Sequence, residues 1–285
     1  MSSKNWLNIS LLAILALLLT ITFWPGEEPA PAKATTVAGP LDSASINTIT
    51  VTRRGHPGIV LHKKDQQWWL QQPALPAKAH LISELLALLE SESLIKYPLN
   101  EIEAGPIGLE NPFLCIEYNQ QRACFGARNP LNQLRYLQFG DQIHMIYDTL
   151  SHQLSGEAHD YVSLKLLPDD AQITALTLED DLMLKKSDGI WHLTPPPENY
   201  SADQTQQLIN NWQQTQALVV APYQPTDSEA TLQLALEKQG TIAFELISSD
   251  PELILARPEL GIQYHLSEGS LSRLTRLPAL EIESE

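Results

Sequence analysis

The sequence predicts an α+β fold of two tandem copies of a mostly antiparallel sheet, each with one main helix, after an N-terminal transmembrane helix. Three observations predict it. Residues 6–24, WLNISLLAILALLLTITFW, carry no charged side chain, and a helix of about 20 apolar residues crosses a hydrocarbon layer. The stretch LHKKDQQWWLQQP from Leu61 recurs 123 positions later as LKKSDGIWHLTPP from Leu184. After each copy a helical period gives way to short alternating segments, the pattern of strands covered on one face.

The elements follow in chain order. Lys4 precedes the apolar run and Glu27 and Glu28 follow it, so the positive-inside rule puts the N-terminus in the cytoplasm and the remainder in the periplasm. This describes a single-pass inner-membrane protein. The run is longer than a signal-peptide core, so an uncleaved anchor over residues 1–24 is expected, with Ala30-Pro31-Ala32 and Ala32-Lys33-Ala34 leaving a cleavage route open. Residues 25–45, rich in Pro, Ala and small polar side chains, form a semi-extended spacer. Repeat one then spans residues 46–156, a connector 157–168, and repeat two 169–285.

Within the echo, Leu61, Lys63, Asp65, Trp68, Leu70 and Pro73 fall on Leu184, Lys186, Asp188, Trp191, Leu193 and Pro196. Six identities in thirteen positions, a tryptophan among them, indicate an internal duplication. Upstream, ITVTR from Ile49 matches LTLED from Leu176, with extra residues around Gly55-His56-Pro57-Gly58 lengthening a hairpin turn. Downstream, Leu81, Leu85, Leu88 and Leu89 have the spacing of a helix with one buried face. The second helix starts at Ser201 with Gln204 three residues on, a capping box, and runs through Leu208, Ile209 and Trp212. Each helix returns to five short strands: LIKY, LCIEY, RACFG, RYLQF and IHMIY, then ALVVA, TLQLALE, TIAFELI, LILAR and IQYHL. Short helical segments near DTLSHQL and SEGSLSRL close the repeats.

The duplicated Trp hairpin, the phrase IGLENP from Ile107, the run GARNPLNQLRYLQFGD from Gly126 and the connector LKLLP from Leu164 resemble the bacterial family called domain of unknown function 4340. The resemblance covers nearly everything after the spacer. Some of that family resemble auxiliary components of gliding-motility-type ABC transporters, which implies an accessory role and supplies no catalytic residues.

Period-two alternation puts Trp68 and Leu70 on one strand face and Trp69 on the other. Trp68 and Trp191, shared by both repeats, are expected to fill the core between sheet and helix. Trp69, which faces His192 in the alignment, is a candidate contact residue. So are Asn129, Arg135 and Tyr136, present only in repeat one, although an amide-stabilised turn with a local ion pair accounts for them equally well.

If Asn119-Gln120 forms a two-residue turn, Cys115 faces Cys124 in a close pair that a disulfide can bridge. An oxidising periplasm favours the bond. Gln233 and Ala243 are the approximate equivalents in repeat two.

No chemistry is announced. The eight histidines are scattered, and HExxH, GxSxG, P-loop and GxGxxG patterns are missing from the sequence. No catalytic residue, metal ligand or cofactor is therefore expected. The acidic run Glu179-Asp180-Asp181 lacks the further oxygen ligands of a calcium loop. A formal net charge of -16 repels phosphate backbones, which excludes nucleic acid as a partner. The expected function is a non-enzymatic, membrane-anchored periplasmic protein that acts as an interaction or accessory component of an envelope complex. Its partners would be the inner membrane, through the N-terminal helix, and an envelope protein. The alternative is a periplasmic binding module for an envelope glycan or small molecule.

Overall fold

The computed structural model describes residues 35–39, 41–178, 182–197 and 200–278. The expected membrane helix at residues 6–24 and the acidic run at 179–181 lie outside them. Among the described residues no helix is long and apolar enough to cross a membrane.

Repeat one contains β1 (Thr35–Thr36), β2 (Thr48–Arg53), β3 (Ile59–Lys64), β4 (Gln67–Leu70), α1 (Ala79–Glu90), β5 (Glu92–Ser93), β6 (Ile95–Pro98), β7 (Leu114–Tyr118), β8 (Gln121–Arg128), β9 (Arg135–Phe139) and β10 (Gln142–Ile146). Repeat two contains β11 (Ile173–Thr177), β12 (Met183–Ser187), β13 (Ile190–Thr194), α2 (Ala202–Gln214), β14 (Val219–Pro222), β15 (Ala230–Leu236), β16 (Gly240–Ser248), β17 (Leu253–Arg257), β18 (Ile262–Leu266) and α3 (Ser270–Thr275). The first eight-stranded sheet has the order β4-β3-β2-β7-β8-β9-β10-β6 and the second β13-β12-β11-β15-β16-β17-β18-β14. Strand for strand these are one topology, with every pairing antiparallel, so the two sheets are repeated units. With so few helical residues the architecture is mostly β, and the α+β expectation holds only for the single main helix on each sheet.

The two helices bury the same positions. Leu81, Ile82, Leu85 and Leu89 are buried in α1, and 123 residues on Gln204, Thr205, Leu208 and Trp212 are buried in α2. The capping box at Ser201 forms as expected: its side chain accepts from the Gln204 N–H at 3.1 Å and the Gln204 carboxamide accepts from the Ser201 N–H at 2.7 Å. The closing segments diverge. SEGSLSRL includes α3, whereas DTLSHQL yields only a 3-10 turn at Gln153–Ser155. Even so, Leu154 and Leu274 serve alike, their carbonyls accepting from the buried Tyr161 hydroxyl and Trp212 Nε1.

The shared tryptophans stand in matching places, opposite Lys63 in repeat one and Lys186 in repeat two. They are not the interior filler expected of them. Trp68 and Trp191 are half-buried and pack against the margin of the main core, because β4 and β13 are the outermost strands of their sheets. The indole at the centre is Trp212, fully buried, 5.8 Å from Phe244, which lies 6.1 Å from Tyr264.

The repeats meet through the connector. After a 3-10 turn at Ala158–Tyr161, its backbone first bonds repeat one (Lys78 N–H to Tyr161 O and Ser163 N–H to Pro76 O, both 2.8 Å). It then bonds repeat two, with Ala217 N–H to Leu164 O at 2.7 Å and Leu166 N–H to Thr215 O at 3.5 Å. Residues 164–167 thereby do for repeat two what residues 35–38 do for repeat one, where Val37 N–H reaches Ser91 O at 3.0 Å. The repeating unit thus begins before the first long strand of each sheet.

Truncating a fully buried Trp costs about 3–5 kcal/mol. Chemical denaturation should therefore find Trp212→Ala destabilised by about that much and Trp191→Ala by less than half of it. Equal losses would contradict this placement.

Candidate functional site

The two repeats present the same hairpin to different surroundings. On the outward face of β3–β4, Val60, His62, Gln67 and Trp69 are all half-buried. The matching residues of β12–β13, Met183, Lys185, Ile190 and His192, are all exposed, with Ile190 65% and Met183 44% accessible. The difference comes from the joint. In repeat one the connector and the β15–β16 turn lie over this face, and nothing in the chain's described residues takes that place in repeat two.

Covering the first hairpin encloses space. A groove of about 730 Å³ has Trp68, Trp69, Ala77, Ile82 and Leu86 on its apolar walls. Its rim carries Lys63, Lys64, Lys165 and Lys238 with Asp65, Asp169 and Asp170. Lys165 pairs with Asp169, and Lys238 lies 3.4 Å from Asp170. Trp69 also lines a second cavity of about 180 Å³, closed on the other side by Ile242, Arg257 and Tyr264 of repeat two. β4 positions this ring by pairing with His62 on one side and bridging Pro76 on the other.

Asn129, Arg135 and Tyr136 come together elsewhere, at the β8–β9 turn. Asn129 Oδ1 accepts from the Leu131 N–H at 2.9 Å, the side-chain turn that favours Asn at such positions. Its Nδ2 donates to the Tyr136 hydroxyl at 3.1 Å. Arg135 Nε donates to Asp148 Oδ2 at 2.7 Å, its Nη1 to Gly126 O at 3.0 Å, and its guanidinium lies 5.0 Å from the Phe113 ring centre. Asp148 also accepts from the Ser151 N–H and hydroxyl. Burial raises the Asp148 pKa, but the hydrogen bonds from Ser151 and from Arg135 outweigh it and hold the carboxyl below its usual range. With its donors engaged inside the fold, Arg135 ties the turn down rather than reaching for a partner.

Cys115 and Cys124 are cross-strand partners, as the Asn119-Gln120 turn requires, and are disulfide-bonded with Cα atoms 4.1 Å apart. They floor a small second cluster with Ile107, Leu109 and Ile143, on the sheet face away from α1. The GPIGLENP loop supplies its lid: Ala127 N–H bonds Ile107 O at 2.6 Å, and a Cβ on Gly126 would collide with that carbonyl. Residue 126 is therefore glycine because the lid lies directly upon it. The sheet register makes Thr231 and Glu245, not Gln233 and Ala243, the repeat-two equivalents of the cysteines, since Tyr118 and Leu234 face Ile49 and Leu176 alike. A polar pair replaces the disulfide there.

His144 is the buried polar group that sequence reasoning missed. Its Nδ1 lies 2.9 Å from Ser93 Oγ, and Lys96 is its cross-strand neighbour. The strand pattern alone marks it, since IHMIY places His144 at an inward position. Desolvation, aided by the Lys96 charge, pushes its pKa down to about 4 from 6.5. The rim lysines were also missed: Lys165 and Lys238 reach the groove only through the joint, which leaves no local signal.

Compared with known proteins, the chain matches no family model, no curated protein and no solved structure.

Thiol titration of denatured, unreduced protein should detect no reactive sulfhydryl, whereas two per chain would remove the disulfide. The unfolded state takes up a proton at His144 more readily than the folded state, so stability rises with pH across this window. It should be complete above pH 6.5 and lost progressively as pH falls toward about 4. Denaturation midpoints measured across that range should flatten in His144→Leu relative to wild type, and an unchanged slope would assign it to other groups.

Proposed function

We propose that the chain is a non-enzymatic, membrane-anchored periplasmic protein that works by holding another envelope protein. The observation that carries this reading is the bare hairpin of repeat two. Met183, Ile190 and His192 stand in the open on the face that is half-buried in repeat one, and β13 ends its sheet. Exposed apolar side chains beside an open strand edge invite association. Residues 6–24 supply the anchor and residues 25–34 the reach away from the bilayer, since residues 35–38, expected in the spacer, instead pack on repeat one with Val37 and Ala38 buried. The Cys115–Cys124 bond suits an oxidising compartment. The resemblance noted in the sequence supports an accessory place beside a transporter or export complex.

A photo-crosslinking residue at position 190 in cells should yield one discrete adduct, and Met183→Asp should abolish it. The same probe at Leu131, 93% exposed on repeat one, should yield none. Equal labelling from both positions would overturn this surface assignment.

A further inference from the structure

The groove between the repeats has a chemistry of its own, independent of the open hairpin. In a chain of formal charge -16, four lysines converge on one rim, and Lys165 and Lys238 are balanced by Asp169 and Asp170. Lys63 and Lys64 make no ion pair among the described residues. They stand on β3 directly across from Trp68 and Gln67. The Gln66 and Gln67 carboxamides also line the groove and make no hydrogen bond among the described residues. Trp68 and Trp69, from the two faces of β4, thus line with Lys63, Lys64, Gln66, Gln67 and Asp65 a groove of about 730 Å³, within the size range of small-molecule sites.

The geometry points to an acidic saccharide as the ligand of this groove. The electron-rich face of an indole attracts the polarised C–H bonds of a pyranose ring. The carboxamides of Gln66 and Gln67 can donate to and accept from sugar hydroxyls. Lys63 and Lys64 take the carboxylate or phosphate as charge-assisted hydrogen bonds. An acidic peptide fits less well. Strand addition needs an open edge, but the β4 edge inside the groove is already occupied, with Leu70 N–H on Leu75 O and Ala77 N–H on Trp68 O, both at 2.8 Å. The site depends on the joint, because among the described residues nothing closes over Trp191 and Lys186, which stand in the matching places of repeat two.

Isothermal titration of the full chain in detergent with tetragalacturonate, with a phosphorylated lipopolysaccharide core oligosaccharide, with maltotetraose and with polyglutamate tests this assignment. Saturable binding is expected for one or both acidic sugars, weakened about tenfold or more by Trp69→Ala and by Lys63→Gln with Lys64→Gln. The two acidic sugars separate carboxylate from phosphate as the anion read. Maltotetraose and polyglutamate should bind at least about tenfold more weakly, and Trp191→Phe should bind as wild type. Melting curves of each variant confirm that it is folded. Absence of binding by both acidic sugars at millimolar concentration overturns the proposal, as does equal binding of polyglutamate or indifference to Trp69→Ala. Crosslinking from position 190 should persist in Trp69→Ala, so the two surfaces succeed or fail separately.

Discussion

The backbone of residues 161–167 is the constraint from which the rest of the molecule follows. Its first half is hydrogen-bonded to residues 76–78 and its second half to residues 215–217. One short extended segment thus belongs to both repeats, and it sets them side by side in a fixed relation. Buried backbone groups must find partners, so this segment cannot detach from one repeat without leaving donors and acceptors unpaired. The same geometry lays the β15–β16 turn near the outward face of β3–β4, encloses Trp69, and leaves the equivalent face of β12–β13 uncovered. Both candidate surfaces are consequences of a single joint.

The repeats keep their topology while exchanging their core volumes. Where repeat two stacks Trp212, Phe244 and Tyr264, the register gives repeat one Leu89, Ala123 and His144. Repeat one recovers the space with Tyr118, whose hydroxyl donates to Leu85 O at 2.6 Å, and with Phe125, against Leu234 and Leu246 in repeat two. Even the cross-strand pair Ala123 and Phe139 becomes Phe244 beside Arg257, whose guanidinium lies 5.7 Å from the ring centre. Cores tolerate such exchanges when total volume is preserved. Identity is densest in the Trp hairpin and survives elsewhere at single positions such as Thr50 and Thr177 or Leu137 and Leu255.

That distribution explains what could be read from the sequence. The hairpin echo, the buried helix face, the Ser201 cap and the Asn119-Gln120 register depend on neighbours in the chain, and each has a period or a turn signal. Trp68 was expected deep in the core because alternation gives the face of a side chain, not its distance from the sheet edge. Only the strand order shows that β4 is last. Asn129 and Arg135 were legible as a turn and an ion pair, although Asp148 as the acceptor was not, since it comes from beyond the next hairpin. The groove had no sequence signature at all: Lys63, Lys165 and Lys238 are far apart in the chain, and only the joint brings them together.

A duplicated fold gives equal halves, yet these halves are dressed differently. Repeat one has its far face roofed by the GPIGLENP loop over the disulfide and its β3–β4 face closed by the connector. In repeat two the matching positions Thr231, Ile190 and His192 meet solvent, and Glu245 is half-buried. Roofing one half and not the other removes the symmetry that would let either repeat serve the same partner. The covered repeat keeps a groove within the size range of small-molecule sites, and the open repeat presents a broad, partly apolar face. Duplication followed by unequal covering is thus a physical route by which one module acquires two kinds of surface without a change of topology.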